Sequence, residues 1–177
     1  GRTGKFLALE WEGLNPNMVT IGKGIGSGMP ISCLLAESHI MKSLDQGDMS
    51  STWGGNPICC AASHAILDIF EEEGLVENAR KIGEHMKARL TAMKETCKYL
   101  GDVRGRGLVM GLDIVEDKKT KERDPKTTRR IIDECCKNGL IIGAVSGNVI
   151  RVAPPLVITM DEANESLDIM EKVLKSL

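Results

Sequence analysis

Three stretches of the sequence place reactive or ligand-binding side chains where ordinary packing does not ask for them. The first is TIGKGIGSGMPIS, residues 20–32, in which Lys23 sits among Gly22, Gly24, Gly26 and Gly28 directly after an apolar run. Glycines at this density cost backbone entropy, so they mark a place where something comes close to the main chain. The stretch is not a phosphate loop, which puts its lysine after the glycines and a Ser or Thr after the lysine. It also fails G-x-G-x-x-G, because Ser27 and Ile31 stand where glycine is needed. Two readings follow: a surface lysine on a flexible loop, or an amine held at the end of a buried strand to condense with an aldehyde. Desolvation or a nearby cation would keep such an amine reactive.

The second stretch is STWGGNP, residues 51–57. The hydroxyls of Ser51 and Thr52, with the N–H groups of Gly54 and Gly55 ahead of a helix, suit a phosphate; the same residues also read as a plain turn and helix cap. The third is GNVIRVAPPL, residues 147–156, which sets Arg151 in an apolar strand. A guanidinium there is costly unless something negative meets it. A carboxylate held by two parallel hydrogen bonds is the natural ligand, and an internal salt bridge is the competing explanation. Together the three supply an amine, a phosphate seat and a carboxylate clamp, the needs of pyridoxal phosphate (PLP) chemistry on an amino acid. Other groups offer less. Arg104 and Arg106 flank Gly105 at what reads as a structural turn, and His39, His64 and His85 have no Ser, Cys or carboxylate set at matching spacing.

These side chains must be held by elements that the pattern also indicates. Residues 18–21 and 31–37 read as short buried strands, with the glycine loop between them. Residues 38–46 read as one or two helical turns capped by Ser38. Pro57 after Asn56 opens a strong helix over residues 57–73. Gly74 interrupts, and residues 75–97 continue as an amphipathic helix with Leu75, Ala79, Ile82, Met86, Leu90 and Met93 on one stripe. Beyond it come a strand within 101–115, a charged loop over 116–124, a helix over 125–137, strands in GLIIGAV and NVIRVAP, and a closing helix over 161–177 with Thr159 as its cap. Early alternation of strands and helices followed by a compact mixed unit predicts the tail of an α/β domain plus a second, smaller α+β domain. The division falls at residues 1–73 and 74–177.

Composition narrows the function classes. Charged residues are 27% and the formal net charge is −2, which gives no argument for a polyanionic partner. Aromatic residues are 3%, too few for base-stacking platforms, so nucleic acid is not expected. No apolar run reaches membrane-spanning length and no signal peptide opens the chain, so the expected setting is the cytoplasm. The six cysteines form no C-x-x-C pair and read as reduced, mostly core residues, with no metal site. The chain opens on Gly1 rather than Met, as a processed product or a piece of something longer would.

The motifs in this order resemble the C-terminal part of the class III aminotransferases, PLP enzymes of fold type I. GRTGKFLALEWEG, LNPNMVTIGKGIGSGMPI, STWGGNPICCAA, DIFEEEGL, GDVRGRGLVMGLDIV and GNVIRVAPPLVIT carry the likeness nearly end to end. The last of them looks most like the 4-aminobutyrate aminotransferases, with acetylornithine and ornithine aminotransferases and certain amino-acid racemases close by. The resemblance implies the end of a seven-stranded, mostly parallel PLP-binding large domain followed by the small domain. It implies that Lys23 is the catalytic, cofactor-binding lysine, that Thr52 binds the cofactor phosphate and reaches a neighbouring subunit's site, and that Arg151 binds a substrate carboxylate. The implied reaction passes an amino group from an ω-amino acid such as 4-aminobutyrate to 2-oxoglutarate, in a homodimer or larger assembly. The family's ring-stacking aromatic, its aspartate partner for the pyridine nitrogen and most phosphate donors lie in an N-terminal portion that residues 1–177 do not contain. Three expectations follow: a fragment of such an enzyme, a separate subunit completed by an N-terminal chain, or a non-catalytic association module.

Overall fold

In the computed structural model, which describes all of residues 1–177, the chain forms two compact units, Leu9–Gly74 and Gly1–Ala8 together with Leu75–Leu177. The sequence pattern did not indicate that the first eight residues belong with the C-terminal unit. They join it through backbone contact. The Leu108 N–H donates to the Arg2 carbonyl at 2.7 Å. Gly4 (φ +81°) leaves no room for a side chain, since a Cβ there would lie 2.9 Å from the Arg80 Cα.

In the unit Leu9–Gly74, a 3-10 helix over Ala8–Glu12 leads to β1 (Met18–Ile21), which pairs with β2 (Cys33–Ala36). The pairing is antiparallel, Met18 opposite Ala36 and Ile21 opposite Cys33. Residues 22–32 are a turn-rich loop, whereas a parallel pair needs a crossover of about a dozen residues or more, usually helical. The parallel pairing expected of the larger sheet therefore does not occur between strands of this chain. Nor is β1 buried as its apolar run suggests: exposed and half-buried residues alternate along it. A short helix, α1 (Ser38–Met41), starts from Glu37 rather than Ser38 and has no side-chain cap. The longer α2 (Pro57–Glu72) is capped as expected, with Asn56 Oδ1 accepting from the N–H groups of Ile58 and Cys59. Leu14, Met49, Trp53 and Ile58 of this unit are exposed, Trp53 by 78%.

The other unit holds the hydrophobic core. Gly74 (φ +59°) separates α2 from α3 (Leu75–Thr96), whose six-residue apolar stripe is buried throughout. Residues 101–115 form a hairpin rather than one strand: β3 (Leu100–Arg106) and β4 (Val109–Ile114), reversing at Gly107 with φ +54°. Then come α4 (Pro125–Lys137), β5 (Gly143–Val145), β6 (Val149–Val152) and α5 (Met160–Lys175). The strands make one antiparallel sheet in the order β3-β4-β6-β5. One face is apolar: Met110, Leu112, Ile114, Ile150 and Val152 pack with α3 and α5, and Ile131 and Cys135 of α4 join the same core. Each fully buried Leu or Ile here contributes about 1.5–3 kcal/mol. The alternation along β4 and β6 leaves the opposite face open, and the candidate arginine lies on it. Thr159 caps α5 in a reciprocal pair with Glu162.

Candidate active site

Lys23 follows β1 immediately after Gly22 and opens a single 3-10 turn, Lys23–Ile25. Its backbone is left-handed at φ +54°, a conformation that non-glycine residues adopt rarely and that clusters at functional sites. The glycines around it divide into two kinds. Gly26 is required by the loop's own packing, because a Cβ there would fall 2.7 Å from Ile31 Cγ2 and closer still to the Met29 carbonyl. Gly28, at φ +106°, is required by its backbone angle. A Cβ on Gly24 would meet nothing within 4 Å, and one on Gly22 only an ordinary contact with Ser32. The two residues flanking Lys23 are thus glycine without any need from their own unit, which leaves the main chain bare on both sides of the amine. Lys23 itself is exposed, so this unit does not supply the desolvation expected from the sequence.

Thr52 is also in this unit, exposed in the turn-rich segment before α2. The segment ends in the Asn56 cap and Pro57, so α2 begins a few residues after Thr52. α2 in turn lies against the 3-10 turn that carries Lys23. Both readings of this stretch, phosphate seat and helix entry, are compatible with that placement.

Arg151 belongs to the other unit and stands at the centre of β6. Its cross-strand neighbours are Gly111 on β4 and Gly143 on β5, and Gly111 in turn faces Arg104 on β3. Directly opposed residues share a sheet face, so Arg104, Gly111, Arg151 and Gly143 form one row on the open face. The two glycines on either side leave the Arg151 side chain without lateral neighbours in that row. The internal salt bridge that competes with carboxylate binding is not formed: Arg104 takes the nearby acids instead, Asp102 at 3.4 Å and Asp113 at 3.6 Å. Arg151 also borders a cleft of about 820 Å³, where it is the one charged side chain among Leu90, Leu140, Ile141, Val145 and other apolar residues. A cation in such a wall is suited to the carboxylate of a ligand whose remainder is apolar or small.

Sequence reasoning singled out Lys23, Thr52 and Arg151 but not Arg2. Arg2 is half-buried in the C-terminal unit, and its Nη1 donates to the carbonyls of Pro154 at 2.6 Å and Leu108 at 3.2 Å. Burial first, and the Arg151 charge second, hold its proton affinity below the ordinary guanidinium range. Of the histidines, His64 meets Asp68 on the α2 surface, and His85 meets Asn164 across α3 and α5. All six cysteines are free, with Cys59, Cys97 and Cys135 buried. No group of His, Cys, Asp or Glu is arranged to hold a metal ion, and no helix is long and apolar enough to cross a membrane.

Comparison with known proteins gives one consistent result. The chain is 41% identical over 177 residues to an alanine/serine racemase of Pyrococcus horikoshii, covering 99% of this chain and 37% of the racemase. It is 37% identical over 176 residues to ornithine aminotransferase 1 of Staphylococcus saprophyticus, covering 99% of this chain and 42% of that protein. It superposes with a TM-score of 0.91, at 35% identity, on a PLP-bound amine transaminase from an uncultivated Pseudomonas species, covering 99% of this chain and 42% of that one. The chain therefore spans about two-fifths of the length of these relatives. The pattern of the family described as "Aminotransferase class-III" matches residues 1–174. A lysine between bare glycines and an arginine on an open sheet face thus occur in a chain that, from end to end, belongs to the class III aminotransferase family.

Proposed function

We propose that this chain is the lysine-bearing C-terminal part of a PLP-dependent enzyme that transfers the amino group of an amino acid of the ornithine or acetylornithine type to a 2-oxo acid. The observation that carries the reading is Lys23, left-handed and exposed between two glycines that their own unit does not require. That setting fits a planar cofactor aldehyde approaching the amine. PLP, when bound, supplies the electron sink that stabilises negative charge developing on the substrate carbon. Lys23 would anchor the cofactor, and its free amine would move the proton at the substrate carbon. The Thr52 hydroxyl would donate to the cofactor phosphate of a neighbouring subunit in a homo-oligomer. Arg151 fixes the substrate carboxylate through parallel charge-assisted hydrogen bonds.

The expectation of 4-aminobutyrate as donor gives way here to the alternative beside it, because the relatives above carry ornithine and racemase names. Racemisation is the second reading, favoured by the racemase likeness; it needs the same lysine and the same carboxylate clamp. The aspartate, ring-stacking and phosphate-binding parts are proposed to come from polypeptide outside residues 1–177. The exposed Leu14, Met49, Trp53 and Ile58 of the unit Leu9–Gly74 support such a partner surface.

The test uses the complete polypeptide containing this chain, saturated with PLP. Ornithine, N-acetylornithine and 4-aminobutyrate are offered with 2-oxoglutarate, and alanine and leucine are followed for loss of optical purity. Lys23→Ala is expected to lower the preferred reaction by at least about 10²–10⁴-fold. Full activity in Lys23→Ala would overturn the reading.

A further inference from the structure

The ladder between β4 and β6 pairs Met110 with Val152. Continued in register, it sets Leu108 opposite Pro154, three residues after Arg151. Pro154 has no N–H, so it cannot supply a rung there. The Arg2 guanidinium takes that place. One nitrogen, Nη1, donates to the carbonyls of both Leu108 and Pro154, and the Arg2 carbonyl accepts from the Leu108 N–H. Arg2 is therefore strapped across the two strand ends at the point where proline stops the sheet. The segment carrying it cannot easily withdraw. A Cβ on Gly107 would lie 2.5 Å from the Arg2 carbonyl oxygen and 2.7 Å from the Gly4 nitrogen, so backbone sits directly on backbone. Farther along, Asn78 Nδ2 holds the carbonyls of Leu156 and Ile158, which secures the other end of the proline segment.

From this geometry we propose that Arg2 is a positioning residue for Arg151: it fixes the exit of β6 and adds a second, unneutralised positive charge, so that the two arginines together set the affinity for the substrate carboxylate. The inference rests on the reading of Arg151 as the carboxylate-binding residue. Both hydrogen bonds of Arg2 go to neutral carbonyls, and neither arginine has an acidic partner, so the charge of the pair is left for a ligand to balance. Beyond the larger effect of burial, Arg2 feels repulsion from Arg151, which agrees with this placement. An incoming carboxylate relieves it, and a neutral substrate analogue does not.

The experiment measures glutarate binding to the PLP-loaded complete enzyme by isothermal titration calorimetry, for wild type, Arg2→Gln, Arg2→Lys and Arg151→Gln. The same proteins are assayed for kcat and KM with the preferred amino acid. Arg2→Gln is expected to weaken glutarate about tenfold or more and to raise KM similarly, with kcat within threefold. Arg2→Lys keeps the charge but cannot span both carbonyls, so a loss between wild type and Arg2→Gln is expected. If Arg2→Gln does not fold, Arg2→Lys decides alone, with a loss of three- to tenfold expected. Weakening in Arg151→Gln with none in the Arg2 variants overturns the proposal and leaves the Arg151 reading standing. A fall in kcat with unchanged KM and unchanged glutarate affinity gives Arg2 a merely structural role and also overturns it. No weakening in Arg151→Gln refutes the carboxylate reading itself, and the proposal falls with it.

Discussion

Gly107→Ala should be among the most damaging single-methyl changes in the C-terminal unit, and its cost can be assembled from separate terms. The residue is left-handed at φ +54°, which costs a side-chain-bearing residue about 1–2 kcal/mol. The new Cβ would lie 2.5 Å from the Arg2 carbonyl oxygen and from the Thr3 carbonyl carbon. Those are backbone atoms that cannot swing aside, so an overpacking cost of about 1–3 kcal/mol applies. The lower entropy of the unfolded alanine chain returns about 0.4–1 kcal/mol. The net expectation is about 3 kcal/mol, or a fall of roughly 6–12 °C in Tm for a chain of this size. Gly139→Ala isolates the clash. Gly139 is also at positive φ, +91°, but has nothing within 4 Å of a new Cβ. It lies in the same unit, so one unfolding transition reports both changes. Urea unfolding followed by far-UV circular dichroism should place Gly107→Ala at least about 1.5 kcal/mol below Gly139→Ala, with m unchanged. Equal losses in the two variants would refute the claim that residues 1–4 sit backbone to backbone on the β3–β4 turn.

Two further outcomes follow from the same reasoning. Thr159→Ala removes the hydroxyl half of the α5 capping pair, leaving the backbone N–H of residue 159 on Glu162, and should cost about 1 kcal/mol in urea unfolding. Hydrogen bonds from Thr159 hold the Glu162 carboxyl below the usual carboxylate range, so its contribution is present above that range and is lost as pH falls through the lowered value. The larger part comes from the Thr159 backbone N–H, which alanine keeps, so Thr159→Ala should lose only slightly less stability than wild type on acidification; a greater loss than wild type would count against the hydroxyl's share of the capping pair. Thiol labelling with a chromogenic disulfide under native conditions should modify Cys60 and Cys136 first. Cys135 should resist, because burial pushes its thiol up to about 11; rapid labelling of Cys135 would contradict the packing of α4.

How much of this is legible in the sequence depends on whether the information is local. The α3 stripe from Leu75 to Met93 is legible, since a 3.6-residue period is written along the chain and every predicted stripe residue is buried. The Asn56–Pro57 entry and the Thr159 cap are legible for the same reason. Lys23 is visible because glycine is a local signal, and Arg151 because charge is rare in an apolar strand. What surrounds them is not. That Gly111 and Gly143 flank Arg151 depends on the register between separate strands, and the period of a strand does not specify its partner. Gly105, between Arg104 and Arg106, reads as a turn before a strand, whereas β3 runs through Gly105 at φ +131° and the chain reverses at Gly107. Ser38 reads as a cap by residue type, but α1 is a single turn whose cap position is Glu37. Arg2 escapes notice because its partners lie 106 and 152 residues away. The burial expected of β1 fails because β2 is its only sheet neighbour within the chain.

The most direct test of the central claim is chemical. The complete polypeptide, loaded with PLP, is reduced with borohydride, digested and mapped by peptide mass spectrometry. The account predicts a phosphopyridoxyl group on Lys23, lost in Lys23→Ala. A group fixed to a different lysine, or none at saturating PLP, would contradict the assignment of Lys23 as the cofactor-binding amine.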